Sequence, residues 1–189
     1  MTLLILGIVL WWVAHLIKRL APDFRQSLAE KMGEASKGVF AAAIVISVIL
    51  MVIGYRGADV NVVYSLPAWA GYLNNLLMIL ALFLFGAGSK GSWLGARMRH
   101  PMLISMKVWA VAHLLVNGDV ASILLFGSML VWAIVSVIVI NRTEGAWTPD
   151  RTVSFGQRDI KLIVIWSVMF IIIAAIHIWL GHNPFLGKY

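Results

Sequence analysis

Residues 101–140 read "PMLISMKVWAVAHLLVNGDVASILLFGSMLVWAIVSVIVI", and this stretch decides the fold. It consists of two apolar runs, Pro101 to Val116 and Val120 to Ile140, joined only by Asn117, Gly118 and Asp119. Lys107 is the single formally charged side chain inside either run. Inside lipid every backbone N–H and C=O must find a partner within its own segment, which a helix provides. Asn-Gly-Asp is turn chemistry, with Gly118 free to take positive φ. The pattern predicts a tight helical hairpin crossing a bilayer.

Working outward, further apolar runs lie at Thr2 to Ile17, Val39 to Tyr55, Ala70 to Gly86 and Ile160 to Leu180, which makes six spans. A helix needs roughly 17 to 25 residues to cross. Of the 189 residues, 61% are hydrophobic and 12% charged, and the mean hydropathy is +0.92; a soluble domain carries about 25% charged residues. The expected fold class is therefore all-α: a polytopic membrane protein, one bundle of about six transmembrane helices, forming a single domain over 1–189. The longest polar connections are about 20 residues, near the length at which a loop stops being a mere connector, and leave no room for a soluble domain.

The first run starts at Met1 without a basic leader and is followed by Lys18 and Arg19, so it reads as a retained span and not a signal peptide. Lys18, Arg19, Arg25, Lys31 and Lys37 fall between spans one and two. Lys90, Arg97 and Arg99 fall between three and four, and Arg142, Arg151, Arg158 and Lys161 between five and six. The opposite ends hold only Arg56 and Lys188. The positive-inside rule then puts both termini outside and the basic loops in the cytoplasm, as in a bacterial inner membrane. The net charge of +7 belongs to that face. It suits anionic headgroups, and no nucleic-acid module accompanies it.

In the first basic loop, "APDFRQSLAEKMGEASKG" spaces Phe24, Leu28 and Met32 as a short amphipathic helix lying in the interface. In the last, "NRTEGAWTPDRTVSFGQRD" mixes turn residues and charge, with Trp147 suited to the headgroup layer.

All eight carboxylates, Asp23 through Asp159, lie in loops or at span ends, which weighs against an ion-coupled pump or an intramembrane carboxylate enzyme. No H-E-x-x-H, G-x-S-x-G or glycine-rich phosphate loop occurs. The absence of cysteine excludes disulfides and thiolate-held cofactors. Five histidines remain: His15, His100, His113, His177 and His182. A neutral imidazole can bind iron through one ring nitrogen while the other is hydrogen-bonded, and two on different helices can clamp a haem. A transmembrane histidine can equally bridge helices by hydrogen bonds.

The motif W-x-V-A-H-L occurs twice, at Trp11 to Leu16 and Trp109 to Leu114. Trp109, His113 and Asn117 share one face at i, i+4, i+8, with Met106 a turn below; Trp11, His15 and Arg19 repeat the spacing. Arg19 could reach a propionate. Counting along the spans offsets His15 from His113 by about 12 Å in depth. His177 lies nearer the external end and is a rival ligand; His182 is interfacial. Lys107 is either a functional intramembrane base or a lysine that snorkels to the interface. Arg97 and Arg99, with His100, suit an anionic ligand or a lipid phosphate.

These residues carry a resemblance. "RMRHPMLISMKVWAVAHLLVNGDVASILLFGSMLVWAI" from Arg97 to Ile134, together with "WWVAHLIKRLAP" from Trp11 to Pro22, resembles the NnrU family of bacterial membrane proteins. That resemblance implies a link to denitrification and to nitrite and nitric-oxide handling. It also implies kinship with the plant zeta-carotene isomerase, a haem b enzyme that turns a cis double bond trans. By resemblance the haem ligands are His15 and His113, the latter following an R-H-P motif at Arg99, His100 and Pro101; Arg19, Arg97 and Arg99 are this reading's own candidate propionate partners. This chain departs from that relative in having Ala110 in the turn before His113 and no cysteine. R-H-P also occurs in isoprenylcysteine-type methyltransferases that use S-adenosylmethionine, but here Met102 and Leu103 follow it and span five has no glutamate.

Three functions follow as expectations: a haem b protein acting on an apolar substrate from the bilayer, such as a cis-trans isomerase; a non-enzymatic partner of nitric-oxide metabolism proteins; and, last, the methyltransferase.

Overall fold

The computed structural model describes residues 1–87, 89 and 91–185. Lys90 and Lys188, both used in the charge argument, lie outside them. The described residues form seven helices: α1 (Thr2–Leu20), α2 (Pro22–Met32), α3 (Ala35–Arg56), α4 (Trp69–Ala87), α5 (Pro101–Val116), α6 (Val120–Glu144) and α7 (Gln157–Trp179). Five of them, α1, α3, α4, α6 and α7, are long and apolar enough to cross a membrane. The sixth expected span, α5, is a 16-residue apolar helix. At 1.5 Å per residue it reaches about 24 Å, short of a hydrocarbon core of roughly 30 Å. It is flanked on both sides, by α4 and by α6.

The long helices lie side by side in the order α3, α1, α6, α5, α4, α7, with α3 also touching α6. The central hairpin of α5 and α6 thus carries a pair of helices on each side. Lipid tails are as apolar as leucine, so association rests on close backbone approach and interhelical hydrogen bonds. The contacts follow that rule. Gly7 and Gly54 bring α1 and α3 into backbone contact: a Cβ on Gly7 would stand 2.7 Å from Met51 N, and one on Gly54 would collide with the backbone of Leu4. Small residues are buried on both α4 and α5, Ala81 on the first and Ala110 and Ala112 on the second, and Ser105 Oγ donates across to Ala81 O at 2.6 Å. Leu4, Ile8, Met51, Ala121, Met129, Trp132 and Ala133 form the core where α1, α3 and α6 meet. Outer faces stay apolar and exposed, as on α7, which rests only on α4.

The two ends are closed differently. At the end opposite the basic loops, Val63 N and Tyr64 N both donate to Gly118 O, at 2.8 and 3.1 Å, and Val120 N donates to Asn61 O at 2.9 Å. Tyr64 Oη donates to Leu114 O. The loop before α4 thereby grips the Asn117–Asp119 reversal, where a side chain at position 118 would strike Tyr64 O. At the basic end, loops 89–99 and 145–156 are tied together: Asp150 N donates to Ala96 O at 2.8 Å and Arg97 Nη1 to Val153 O at 2.8 Å. Buried Asp159 receives Trp93 N at 2.7 Å and Gly156 N at 3.0 Å. The amphipathic segment is helical as expected, and α2 has no buried residue.

Candidate functional site

His15 is held by its own helix, with Nδ1 at 2.9 Å from Trp11 O. His113 repeats the arrangement, with Nδ1 at 2.9 Å from Trp109 O. A carbonyl oxygen only accepts, so Nδ1 carries the proton in each ring and Nε2 presents its lone pair. His177 is tethered in the same way to Ile173 O at 2.7 Å. The expected i, i+4, i+8 ladder is completed on α5 by Asn117, whose Nδ2 donates to His113 O at 3.0 Å.

Both candidate rings lean on α6. His15 lies 4.0 Å from Trp11 and 5.0 Å, edge-on, from Trp132. His113 stacks on Phe126 at 4.6 Å and lies 4.8 Å from Trp109. Phe126 and Trp132 are six positions apart on one helix, a rise of about 9 Å, close to the depth offset counted along the spans. α1 and α5 each pack on α6, and their backbones do not approach one another. His177, on α7, lies within electrostatic range of His113.

Around His15 the buried polar atoms lack partners. Nε1 of Trp11, Trp12 and Trp132 and Oγ of Ser136 are buried without a hydrogen bond. Trp132 and Ser136 are one turn apart on α6, and Trp11 lies 5.3 Å from Trp132. A buried donor without a partner costs on the order of 1–3 kcal/mol, so the cluster is a place where a ligand with acceptor atoms gains.

The basic residues divide into two groups. Arg19, a turn beyond His15, makes an ion pair with Glu144 at 3.0 Å. Arg19 and Glu144 line a cavity of about 390 Å³ with Arg99, His100, Ile140, Ala146 and Trp147. His100 Nε2 lies 2.8 Å from Asn141 Oδ1, an acceptor, so Nε2 is the protonated nitrogen. Arg97 stands apart: it donates to Val153 O and Trp93 O, covers the Trp93 ring at 4.7 Å, and lines a second cavity of about 440 Å³ with Pro149 and Arg151. Lys107 is half-buried and has no acid within ion-pair distance among the described residues. Asp150, exposed on the connecting loop, has its carboxyl held below the usual range by the Thr152 hydroxyl and N–H that donate to it.

Among the described residues no three His, Asp or Glu side chains gather as a metal site. A two-histidine haem needs no third protein ligand. The residues fit that group by chemistry: two deprotonated Nε2 atoms and unpartnered indole donors beside them. Phe126, Trp132, Ser136 and Glu144 were not singled out in the sequence reading. Trp132 and Ser136 carried a signal, being a polar pair at i, i+4 within an otherwise apolar run.

No curated protein and no solved structure matches this chain. The family model described as NnrU protein matches residues 3–184, nearly the whole chain, and the protein belongs to the NnrU family.

Proposed function

We propose that this chain is a six-span bacterial inner-membrane protein, with both termini outside, that holds haem b between His15 and His113 and serves nitrite and nitric-oxide metabolism. The observation that carries the reading is that two imidazoles from different helices, each with Nδ1 on the carbonyl four residues back, pack on the same helix, α6. Hydrogen-bonding the non-ligating nitrogen fixes tautomer and ring orientation and raises basicity at the other. Trp11 and Trp132 hold the His15 ring, while Phe126 and Trp109 hold that of His113. Arg19, one turn from His15 on α1 and paired with Glu144, is the candidate partner for a haem carboxylate. When bound, haem supplies a redox-active, Lewis-acidic iron. Neither imidazole has a carboxylate partner among the described residues.

A pyridine haemochrome assay on detergent-purified protein expressed with haem supply tests the reading, with one haem per chain expected. His15→Ala and His113→Ala should each abolish the low-spin signal of a two-imidazole iron. Protein that stays colourless under haem supply refutes the reading.

The aromatic lining supports a second reading, cis-trans isomerisation of an apolar polyene such as zeta-carotene entering from the bilayer. Its check is conversion of the cis isomer in a pigment-producing host, lost in His15→Ala.

A further inference from the structure

The cavity at the basic end is not explained by haem. Ile140 and Glu144 lie eight and twelve positions beyond Trp132 on α6, about 12 and 18 Å further along the helix, and His15 sits at the level of Trp132. Neither His15 nor His113 lines the cavity, and its Arg99, His100 and Trp147 come from the loops at the basic end.

Its lining describes an occupant. Glu144 is the one acid among the lining residues, set against Arg19, Arg99 and His100, and it is already engaged by Arg19. Arg99 is half-buried and forms no ion pair among the described residues, so its planar guanidinium fork is free. That fork matches two oxygens of a phosphate. The depth is equally specific. The apolar run of α6 ends at Ile140, and polar Asn141 follows, so the cavity straddles the boundary between hydrocarbon and water. Ile140, Ala146 and Trp147 line it beside the basic groups, and Trp147 is 40% exposed. A freely soluble phosphate has no use for an apolar wall or an indole at the interface. A phospholipid has, since its glycerol and first methylenes sit beside its phosphate.

We propose that this cavity binds the phosphate of an anionic phospholipid headgroup, with Arg99 as its principal ligand and Glu144 as an internal competitor for the same cations. The site goes beyond the haem reading and stands whether or not haem is bound.

The test uses the full chain in neutral detergent, with short-chain phosphatidylglycerol as probe and phosphatidylcholine and inorganic phosphate as comparators, read by native mass spectrometry and calorimetric titration. Phosphatidylglycerol should bind more tightly than either comparator. Arg99→Gln should weaken it roughly tenfold, the loss of one hydrogen bond to a charged group. Arg56→Gln, at the opposite end, should leave it unchanged. Glu144→Gln should strengthen it roughly threefold, a gain on the scale of one exposed ion pair; disturbance of the fold would only weaken binding. Equal binding of phosphatidylglycerol by wild type and Arg99→Gln overturns the proposal. So does inorganic phosphate binding as tightly as the lipid, which would make the ligand a soluble anion.

Discussion

Asp119 shows how much one side chain decides here. It is the N-cap of α6, accepting Ser122 N at 3.0 Å and the Ser122 hydroxyl, and Ser122 Oγ in turn lies 2.8 Å from Tyr55 Oη on α3. One carboxylate thus caps α6 and fixes its contact with α3. Asp119→Ala should cost about 1 kcal/mol for the cap, and more because buried Ser122 loses an acceptor. A fall of a few degrees in the thermal midpoint is expected in detergent. Asp119→Asn keeps an acceptor for Ser122 N and should recover most of the loss. Equal midpoints for the wild type and the alanine variant would remove Asp119 from the list of structural determinants. At the histidines the same scale of argument applies: the Nδ1 bonds to Trp11 O and Trp109 O are local, i to i−4, and follow from placing a histidine inside a helix. His177, which lies outside any W-x-V-A-H-L, is tethered in the same way, so the tether comes from the helix and not from the repeat.

Between elements, the decisive contacts are those where a side chain is missing. Gly54 lets the start of α1 lie against α3, and a methyl there would meet Leu4 backbone, which cannot swing aside as a flexible side chain can. Gly54→Ala should destabilise by about 1–3 kcal/mol through overpacking, read as a lower unfolding midpoint. Gly38→Ala, on the same helix with open space around it, should leave the midpoint within error or raise it. Five of the six expected spans were legible in the sequence because lipid demands long apolar runs. Their partners were not legible. Arg19 meets Glu144 across 125 positions, and Asp159 reaches back to Trp93 across 66, and no local pattern encodes such pairings. For the same reason the loop after α6 read as a connector, although Asp150, Val153 and Asp159 bind it to the loop before α5. The cavity with Arg99, His100 and Trp147 takes its lining from the ends of α1 and α6 and from both of those loops.

For the whole molecule, the two ends differ in charge and in construction, and topology decides which solution each one meets. Bases crowd the ends where α1 finishes and α7 begins, while the Asn61–Tyr64 segment that grips Gly118 carries none. The basic end faces the cytoplasm on this reading, which gives the headgroup cavity access to the anionic inner leaflet and points the His113 end outward. The cysteine-free chain makes this directly measurable, because any introduced thiol is the only one present. Val60 is 80% exposed in the loop after α3 and Thr148 is exposed in the loop after α6. In intact spheroplasts a membrane-impermeant maleimide should label Val60→Cys, and should label Thr148→Cys only after the membrane is opened. The reverse pattern would invert the protein, put the basic cavity outside, and remove the inner leaflet as the source of its lipid. Labelling of both residues in sealed cells would mean that an even number of crossings separates them, and α5, at about 24 Å, is the helix whose crossing would then be in question.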